Sequence, residues 1–363
     1  MHKIARPFDN WLEMAVFIFF VICRGLKSEF DFSIHHSFRL QKIITRSYIS
    51  ANNHFSLEMQ SEYEAARTLA RQGYHIVGGG AVKPCLWLSR AMRGGDQCYK
   101  HHFYGISSHR CVQMTPTLEC NHHCLHCWRP IDDPLPVAAP LEPAELLEGI
   151  LRGQKKFLSG YGGAKTTDPA RLAEAQKPRH VAVSLMGEPT LYPYLKELLD
   201  LIHRRGMTSF VVSNATNPEI LSELQPTQLY LSLNAPDEEL YRRVCRPAAA
   251  FWQKILESLQ IIKEHRCRSV IRITLARGLN MERPEDYARL IARAEPDFVE
   301  VKSYMHLGRS RDRLTREAMP QHQEILQFTS ALGKALGYDL QADVPLSRVA
   351  LLSSGRANRQ LLD

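Results

Sequence analysis

The sequence predicts an α/β fold, a partial (β/α)6 barrel preceded by a cysteine-rich N-terminal segment. Three observations lead to this prediction. From Cys111 onward, short apolar strand candidates alternate with helical stretches. The strand centres lie roughly 20 to 40 residues apart, a βαβ rhythm that implies a parallel sheet. Six such units fit into the chain, whereas a closed eight-stranded barrel usually needs more residues.

The strands and helices follow one another in a regular order. The six parallel strands are expected at Val112–Pro116, Val181–Leu185, Phe210–Ser213, Leu229–Leu233, Val270–Leu275 and Phe298–Lys302. The helices expected between them include Leu191–Arg205, Phe251–His265 and Glu285–Ala294. The strand segments are continuous apolar runs, which is typical of buried parallel strands. A late segment, Ser347–Ser354, is expected to add an antiparallel edge strand.

The chain is expected to divide into residues 1–58, 59–110 and 111–363. Residues 1–58 are interpreted as a poorly ordered extension or the result of a misplaced start, because a clear helical pattern, Ser61–Gln72, begins just after Met59. The apolar run Trp11–Cys23 is 13 residues long and contains Glu13. It is too short to span a bilayer as a helix, so no membrane association is expected. A signal peptide is the alternative, since basic residues precede the run.

The composition is that of a globular protein with a basic surface. Of its 363 residues, 44% are hydrophobic and 23% are charged, and the net charge is +8. A basic balance favours a polyanionic partner such as a nucleic acid, although it does not establish one. A chain of this length buries a sizeable core and does not need disulfides to hold it together.

Three cysteines, Cys120, Cys124 and Cys127, share one short loop with the spacing Cys-x3-Cys-x2-Cys. Three thiolates can surround a metal centre but do not complete a four-coordinate site. A structural zinc site is closed by a fourth Cys or His, for which His122, His123 and His126 are available. An iron–sulfur cluster with three thiolates instead keeps one iron free for a ligand. The spacing favours the cluster over zinc.

Three further cysteines, Cys85, Cys98 and Cys111, lie just upstream with the even spacing Cys-x12-Cys-x12-Cys. Such clustering in a small secreted domain would indicate disulfides. In an intracellular enzyme it indicates metal binding. The two groups of three therefore suggest two clusters, each with an open iron, and they suggest a cytoplasmic protein because such clusters are oxygen-labile. The other three of the nine cysteines, Cys23, Cys245 and Cys267, are scattered and are interpreted as ordinary thiols.

Small and polar residues follow the ends of several predicted strands. In barrels of this kind the chemistry lies at the carboxyl ends of the strands, so these residues are expected to share one mouth. Gly187 in the MGEP segment allows the backbone to approach a ligand closely. Glu188, Asn214 and Ser232 are expected to bind a cofactor that occupies this mouth. The alternative for MGEP is a strand-to-helix turn with a helix-initiating proline.

A set of short motifs occurs in one order along the chain. They are CLWL (85–88), CYKHHFYGISSHRC (98–111), QMTP (113–116), CWRP (127–130), GEPTLYP (187–193), LNAPD (233–237) and Arg309-Ser310-Arg311 after SYM. Together with the cysteine loop they resemble the radical S-adenosylmethionine (SAM) superfamily, whose second motif GGEP has Met186 in place of its first glycine here. More closely, they resemble the archaeal-type tRNA 4-demethylwyosine synthases over Met59–Asp363.

The resemblance implies a specific reaction. The family converts N1-methylguanosine, next to the anticodon of tRNA-Phe, into 4-demethylwyosine with two carbons from pyruvate, and it belongs to the carbon–carbon lyases. By motif, Cys120, Cys124 and Cys127 hold a 4Fe–4S cluster that binds SAM. Cys85, Cys98 and Cys111 hold a second 4Fe–4S cluster whose open iron would chelate pyruvate.

The family's eukaryotic members carry a flavodoxin-like domain that supplies electrons. Residues 1–58 are too short for one, so a separate donor of flavodoxin or ferredoxin type is expected, and the chain is expected to act as a monomer. Cleavage of SAM gives a radical that removes hydrogen from the N1-methyl group. The resulting carbon radical adds to C2 of pyruvate, the C1 carboxyl carbon is lost, and ring closure onto the exocyclic amine follows. Positioning therefore supplies most of the catalysis.

Lys100, two residues after Cys98, is the candidate for holding pyruvate as a Schiff base, which requires a neutral amine. A surface or phosphate-binding lysine is the alternative, and Lys156 and Lys302 are weaker rivals. Trp128 could stack on adenine, shield the cluster or simply pack.

Basic residues in two stretches are candidates for contact with tRNA. Arg309, Arg311, Arg313 and Arg316 follow the sixth strand and suit phosphate contacts. Arg242, Arg243 and Arg246 follow the fourth strand and are candidates for the same contacts. Arg266, Arg268 and Arg272, by contrast, come before the fifth strand on the opposite face and are expected to be solvated. Two other functions stay open: another radical SAM enzyme with an auxiliary cluster, and a zinc-stabilised RNA-binding protein without catalysis.

Overall fold

One mixed sheet of ten strands organises the part of the chain that the computed structural model describes, which is residues 64–361 without 131, 132, 134, 136 and 137. The expectations for residues 1–58 lie outside that part. Six parallel strands form the centre: β3 Cys111–Thr115, β4 His180–Val183, β5 Thr208–Ser213, β6 Gln228–Ser232, β7 Arg268–Leu275 and β8 Phe298–Ser303. The six predicted parallel strands are confirmed, and the fold is the radical-SAM type of α/β partial barrel.

Antiparallel strands extend the sheet on both sides. A hairpin of β1 (His75–Val77) and β2 (Gly80–Val82) pairs with β3. On the other side, β10 (Val349–Ser353) pairs antiparallel with β8. The predicted late antiparallel strand is therefore present, but it is not the edge. β9 (Asp339–Val344) pairs with it and forms the edge. Most residues of β9 are exposed, so its sequence lacks the apolar pattern that indicates a strand.

Eleven helices are present in the described part of the chain, of which α4 to α10 connect the parallel strands and the first three precede them. They are α1 (64–71), α2 Leu86–Met92, α3 Tyr99–Tyr104, α4 Pro143–Ser159, α5 Pro169–Ala175, α6 Leu195–Arg204, α7 Pro218–Glu223, α8 Glu238–Cys245, α9 Trp252–Glu264, α10 Pro284–Ile291 and α11 His322–Leu336. The helix predicted from Leu191 begins only at Leu195. Pro193 explains the delay, because the residue before a proline avoids the helical conformation.

The two faces of the sheet differ in what they bury. Residues such as Val181, Val211 and Leu229 pack against the helices in the main hydrophobic core. The alternate residues point to the inner, concave face, where Phe210, Tyr230 and Phe298 pack with Phe103 and Tyr104 of α3. α3 therefore closes the inner face of the barrel. Across the described residues, no helix is long and apolar enough to cross a membrane.

Candidate active site

The loop with Cys120, Cys124 and Cys127 follows β3 and is fixed by backbone hydrogen bonds to two other segments. The Glu188 amide donates to the Glu119 carbonyl at 2.7 Å, and the Ala248 amide donates to the Asn121 carbonyl at 2.9 Å. Leu125 of the loop donates to Val244 at 2.9 Å. These bonds place the three thiols at the carboxyl end of the parallel strands, as the sequence predicts.

Gly187 allows the loop to lie this close to the end of β4. Its φ is +68°, and a Cβ there would lie 2.5 Å from the carbonyl oxygen of Glu119 and would also collide with that of Thr117. Only glycine adopts this conformation easily and leaves that space free. The cysteine loop and the Gly187 turn are therefore one local structure.

Glu188 lies inside the protein and organises the next strand end. Its carboxylate accepts from the Asn214 amide at 2.6 Å, from the Ser213 hydroxyl at 2.8 Å and from the Thr190 hydroxyl at 2.8 Å. Burial raises the pKa of Glu188, and the bonds from Asn214 and Thr190 oppose that rise. Both carboxylate oxygens bind protein donors, so Glu188 shapes the site, and its direct contact with a cofactor stays a prediction.

Asn214 links the strand ends to the cysteine loop. Its side-chain amide donates to Asn121 Oδ1 at 2.6 Å, and Asn121 donates to the Thr216 hydroxyl at 2.8 Å. Ser232 ends β6 on the inner face, paired in register with Arg272 of β7. Asn214 and Ser232 thus lie at strand ends as predicted, and direct contact with a cofactor stays a prediction for both.

The local donors fit a cluster bound through thiolates. The backbone amides of His122 and Arg129 oppose the rise in the pKa of Cys120 and Cys127 that burial causes. All three cysteines are free thiols. Burial raises the pKa of Cys127 to about 11, and a hydrogen bond with Cys245 raises that of Cys124. Loading a cluster must therefore release protons.

Cys245 is a neighbour that the sequence did not indicate. A ring nitrogen of His122 and the sulfurs of Cys124 and Cys245 lie within 4.8 Å of one another. The His122 Nε2 atom also bonds the Tyr241 hydroxyl at 2.7 Å. Cys245 is far from the loop in sequence, and only the bonds between the loop and the end of α8 bring the two together.

The second set of cysteines comes from three elements. Cys85 precedes α2, Cys98 precedes α3 and Cys111 begins β3. The thiols interact electrostatically with one another, so the fold brings them together. Burial raises the pKa of Cys85 to about 11, and its sulfur accepts a hydrogen bond from the Leu88 amide at 3.3 Å. The donor set fits an iron–sulfur cluster as well as the first one does.

Lys100 lies on α3 and points to the inner face. It is 7% exposed, and its Nζ atom lies 4.7 Å and 4.8 Å from the ring centroids of Phe210 and Tyr230. Burial lowers the pKa of Lys100, and the charge of Arg272 adds to this effect. Of its two rivals, Lys156 is exposed on α4, whereas Lys302 is partly buried and its Nζ atom lies 4.7 Å from the ring centroid of Tyr99.

A buried ionic network beside Lys100 corrects the interpretation of Arg272. This side chain is only 13% exposed and pairs with the fully buried Glu300 at 2.9 Å, so it is not solvated. It also donates to the Tyr99 hydroxyl at 2.9 Å, and the Tyr104 hydroxyl donates to Glu300 at 2.8 Å. Arg272 lies within strand β7 and shares the inner face with Val270, two residues before it. An alternation of charged and apolar residues in RSVIRITL could have indicated it.

The basic residues after β8 differ in their surroundings. Arg309 is half exposed and pairs with Asp133 and Asp312. Arg311 is exposed, and its Nε donates to the Gly308 carbonyl at 3.2 Å. The Arg313 guanidinium donates to the carbonyls of Leu125 and Cys127 and so supports the cysteine loop. Contact with tRNA stays a prediction for all three.

Trp128 is 39% exposed and lies beside this segment. Its carbonyl accepts from the Arg309 amide at 3.2 Å, and the guanidinium carbon of Arg129 lies 3.5 Å from its ring centroid. One face of the ring is thus occupied by Arg129. Stacking on adenine stays a prediction.

Comparisons with known proteins agree with this geometry. Residues 114–291 match a model of the radical SAM superfamily, and residues 293–354 match one for wyosine base formation. Two proteins called S-adenosyl-L-methionine-dependent tRNA 4-demethylwyosine synthase, from Pyrococcus horikoshii and Methanocaldococcus jannaschii, are 45% and 43% identical over 80% of this chain and over 88% and 96% of their own length.

Two solved structures are similar over most of the chain. One, of TYW1 with a lysine–pyruvate adduct bound, has a TM-score of 0.76 at 42% identity and covers 82% of this chain and 97% of its own. The other, of archaeal TYW1, has a TM-score of 0.70 at 38% identity and covers 82% of this chain and 99% of its own.

Proposed function

The chain belongs to the S-adenosyl-L-methionine-dependent tRNA 4-demethylwyosine synthase family, and from this we propose that it builds 4-demethylwyosine in tRNA from N1-methylguanosine and pyruvate. The observation that carries the proposal is the cysteine loop held against the Gly187 turn at the strand ends. Loss of C1 of pyruvate in this reaction would place the enzyme among the carbon–carbon lyases.

Cys120, Cys124 and Cys127 would hold the 4Fe–4S cluster that binds SAM. That cofactor pair, when bound, supplies a radical able to attack an unreactive methyl group. The chain's own residues position it: the Gly187 turn leaves room beside the loop, Glu188 fixes the Asn214 strand end, and Arg313 bonds the loop carbonyls. Fixed geometry of this kind is how an enzyme directs a radical to one atom.

Cys85, Cys98 and Cys111 would hold a second 4Fe–4S cluster. The proximity of the three thiols and the sequence spacing support this assignment. Reconstituted protein should then contain about eight irons, and the change of Cys120, Cys124 and Cys127 to Ala should leave about half. Replacing the second triplet instead should abolish base formation while some reductive SAM cleavage remains. Normal product formation without the second triplet would exclude it from pyruvate binding.

Lys100 is proposed to hold pyruvate as a Schiff base. A related structure contains a lysine–pyruvate adduct, and Lys100 is a buried amine directly beside the second cysteine triplet. The aromatic rings of Phe210 and Tyr230 exclude water around it. A dry pocket favours the neutral amine that attacks a carbonyl carbon.

The tRNA partner is proposed to meet the exposed surface around Trp128, Arg309 and Arg311. An aromatic ring beside guanidinium groups suits stacked bases and phosphates. Pyruvate, a separate electron donor of flavodoxin or ferredoxin type, a monomeric state and a cytoplasmic location complete the proposal. Each of these four remains a prediction from the sequence.

The decisive experiment is anaerobic incubation of reconstituted protein with SAM, pyruvate, a reductant and tRNA that contains N1-methylguanosine. Mass spectrometry of the nucleosides should find 4-demethylwyosine only when all four are present. Zinc in place of iron, or SAM cleavage without a modified base, would contradict the proposal. The matched control is the variant in which Cys120, Cys124 and Cys127 are Ala.

A further inference from the structure

Arg129 is a buried positive charge without a protein counter-charge. Its side chain is 5% exposed, and its Nη1 atom donates to the neutral Tyr74 hydroxyl at 3.0 Å. Its other close contact is the Trp128 ring. Within the described residues, Arg129 pairs with no carboxylate. A buried unpaired charge costs several kcal/mol, so an anion should complete this site in the working enzyme.

Lys83 adds a second positive charge at the same place. Its Nζ atom lies 4.5 Å from the ring centroid of Tyr74 and 5.9 Å from that of Trp128, so both cations flank the same two rings. Lys83 is bonded to the Gln72 carbonyl at 2.6 Å, which is uncharged. Lys83 is only partly buried, so solvent screens part of its charge, but an anion beside Arg129 would also be attracted to it.

A cluster held by a cysteine triplet would supply such an anion. Arg129 comes two residues after Cys127. Its guanidinium interacts electrostatically with Cys127 first and then with Cys85. A 4Fe–4S cluster with three thiolates is negatively charged and gains another negative charge on reduction, and nearby charges help to set its potential. A tRNA phosphate is a poor alternative because it would need an exposed cation.

We propose that Arg129 is the counter-cation of the cluster held by Cys120, Cys124 and Cys127 and that its charge makes this cluster easier to reduce. The inference rests on the cluster assignment in the proposed function. The reason is electrostatic: in a dry site a fixed positive charge stabilises the more negative, reduced cluster more than the oxidised one. Arg129 is thus a tuning residue, which acts through the cluster and does not touch the reacting atoms.

The test measures the reduction midpoint of the SAM cluster without SAM, pyruvate or tRNA. The second triplet is changed to Ala in every sample so that one cluster gives the signal, and reduction is followed by electron paramagnetic resonance. Arg129→Met should shift the midpoint to a more negative potential, whereas Arg129→Lys, which keeps the charge, should shift it much less. Tyr74→Phe is the matched control, because it removes the hydrogen bond but no charge, and it should leave the midpoint unchanged.

A second readout uses the cluster-free chain. Without a cluster the unpaired charge of Arg129 destabilises the fold. The Arg129→Met protein should therefore resist denaturant at least as well as the unchanged chain. This readout decides the matter if the Met variant fails to hold iron, because clear destabilisation of its cluster-free form would overturn the proposal.

An unchanged midpoint in an Arg129→Met protein with full iron would overturn the proposal. If that protein also bound SAM more weakly or had a higher KM for pyruvate, Arg129 would instead be assigned to a substrate carboxylate. If the unchanged chain binds no cluster, that result contradicts the proposed function and is distinct from an unchanged midpoint in the Arg129→Met protein.

Discussion

Ionisable side chains gather at the inner face of the sheet, where water is excluded. Lys100, Lys302 and Arg272 are the basic side chains there, and Glu300 is the buried carboxylate that pairs with Arg272. The excess of positive charge lowers the pKa of both lysines beyond the effect of burial. Such a pocket suits a small anionic substrate with a carbonyl group, which is the chemistry of pyruvate.

Lys100 is expected to be the residue that pyruvate modifies. Incubation of the protein with pyruvate and cyanoborohydride should give a reduced adduct that peptide mass spectrometry finds on Lys100. Lys100→Arg should abolish both the adduct and base formation, because arginine keeps the charge but cannot form the imine. Lys302→Met is the matched control and should still give the adduct on Lys100. An adduct on Lys302 in the unchanged chain would contradict this assignment.

Lys302 is expected to make the stability of the cluster-free chain depend on pH. Burial first, and then the charge of Arg272, lowers the pKa of Lys302 from 10.5 to about 8. Between pH 8 and pH 10.5 the Lys302 amine is more fully protonated in the unfolded chain than in the folded chain. The free energy of unfolding is therefore reduced below pH 8 and recovers as the pH rises towards 10.5.

Lys302→Met should therefore stabilise the cluster-free protein by roughly 2–3 kcal/mol at neutral pH, with a smaller gain at high pH. Urea unfolding of both proteins across this range measures the difference. A gain that is independent of pH would show that Lys302 does not carry the shifted pKa.

At the scale of elements, the site joins a loop, a turn, the end of a helix and the end of a strand. The cysteine loop after β3 is bonded to the Gly187 turn after β4 and to the end of α8. The Glu188 carboxylate accepts from the Asn214 amide at the end of β5, and the Asn214 side chain donates to Asn121 of the loop. Because each turn depends on the others, a change in one backbone conformation should affect metal loading at a distance.

Gly187→Ala should lose the cluster, whereas Gly206→Ala should keep it. Both glycines have nearly the same positive φ, +68° and +71°, but a Cβ at Gly206 would meet nothing within 4 Å. Gly206→Ala should therefore cost only the backbone strain, about 1–2 kcal/mol. At Gly187 the Cβ would also strike the backbone of the cysteine loop.

Iron content after reconstitution and denaturant unfolding measure both effects. Equal iron in the two variants would mean that the close approach of Gly187 to the loop is not required for metal loading.

At the scale of the whole molecule, both cysteine triplets and the inner-face pocket lie within one compact unit, Ser61–Asp363. A chain beginning at Met59 is therefore expected to load the same amount of iron, to unfold at the same denaturant concentration and to modify tRNA at the full rate. Iron analysis and the tRNA assay on both lengths test this. Loss of either property in the shorter chain would show that residues 1–58 take part.

The sequence alone determined the parts that depend on local spacing. Continuous apolar runs predicted the six parallel strands, because a strand covered on both faces must be apolar along its length. The cysteine spacings predicted two groups of metal ligands, since one loop or one short segment carries each group. Gly187 was indicated by the motif that follows β4. These predictions depend only on residues that are close in the sequence, and such residues also lie close together in space.

Only the tertiary structure decided what depends on contacts between distant segments. β9 was missed because its partner β10 supplies the pairing while its side chains stay exposed. Arg272 was misplaced because its counter-ion Glu300 comes from the next strand. Cys245 and the lone charge of Arg129 were invisible for the same reason. Burial and charge pairing are properties of the packed sheet, and spacing along the chain does not contain them.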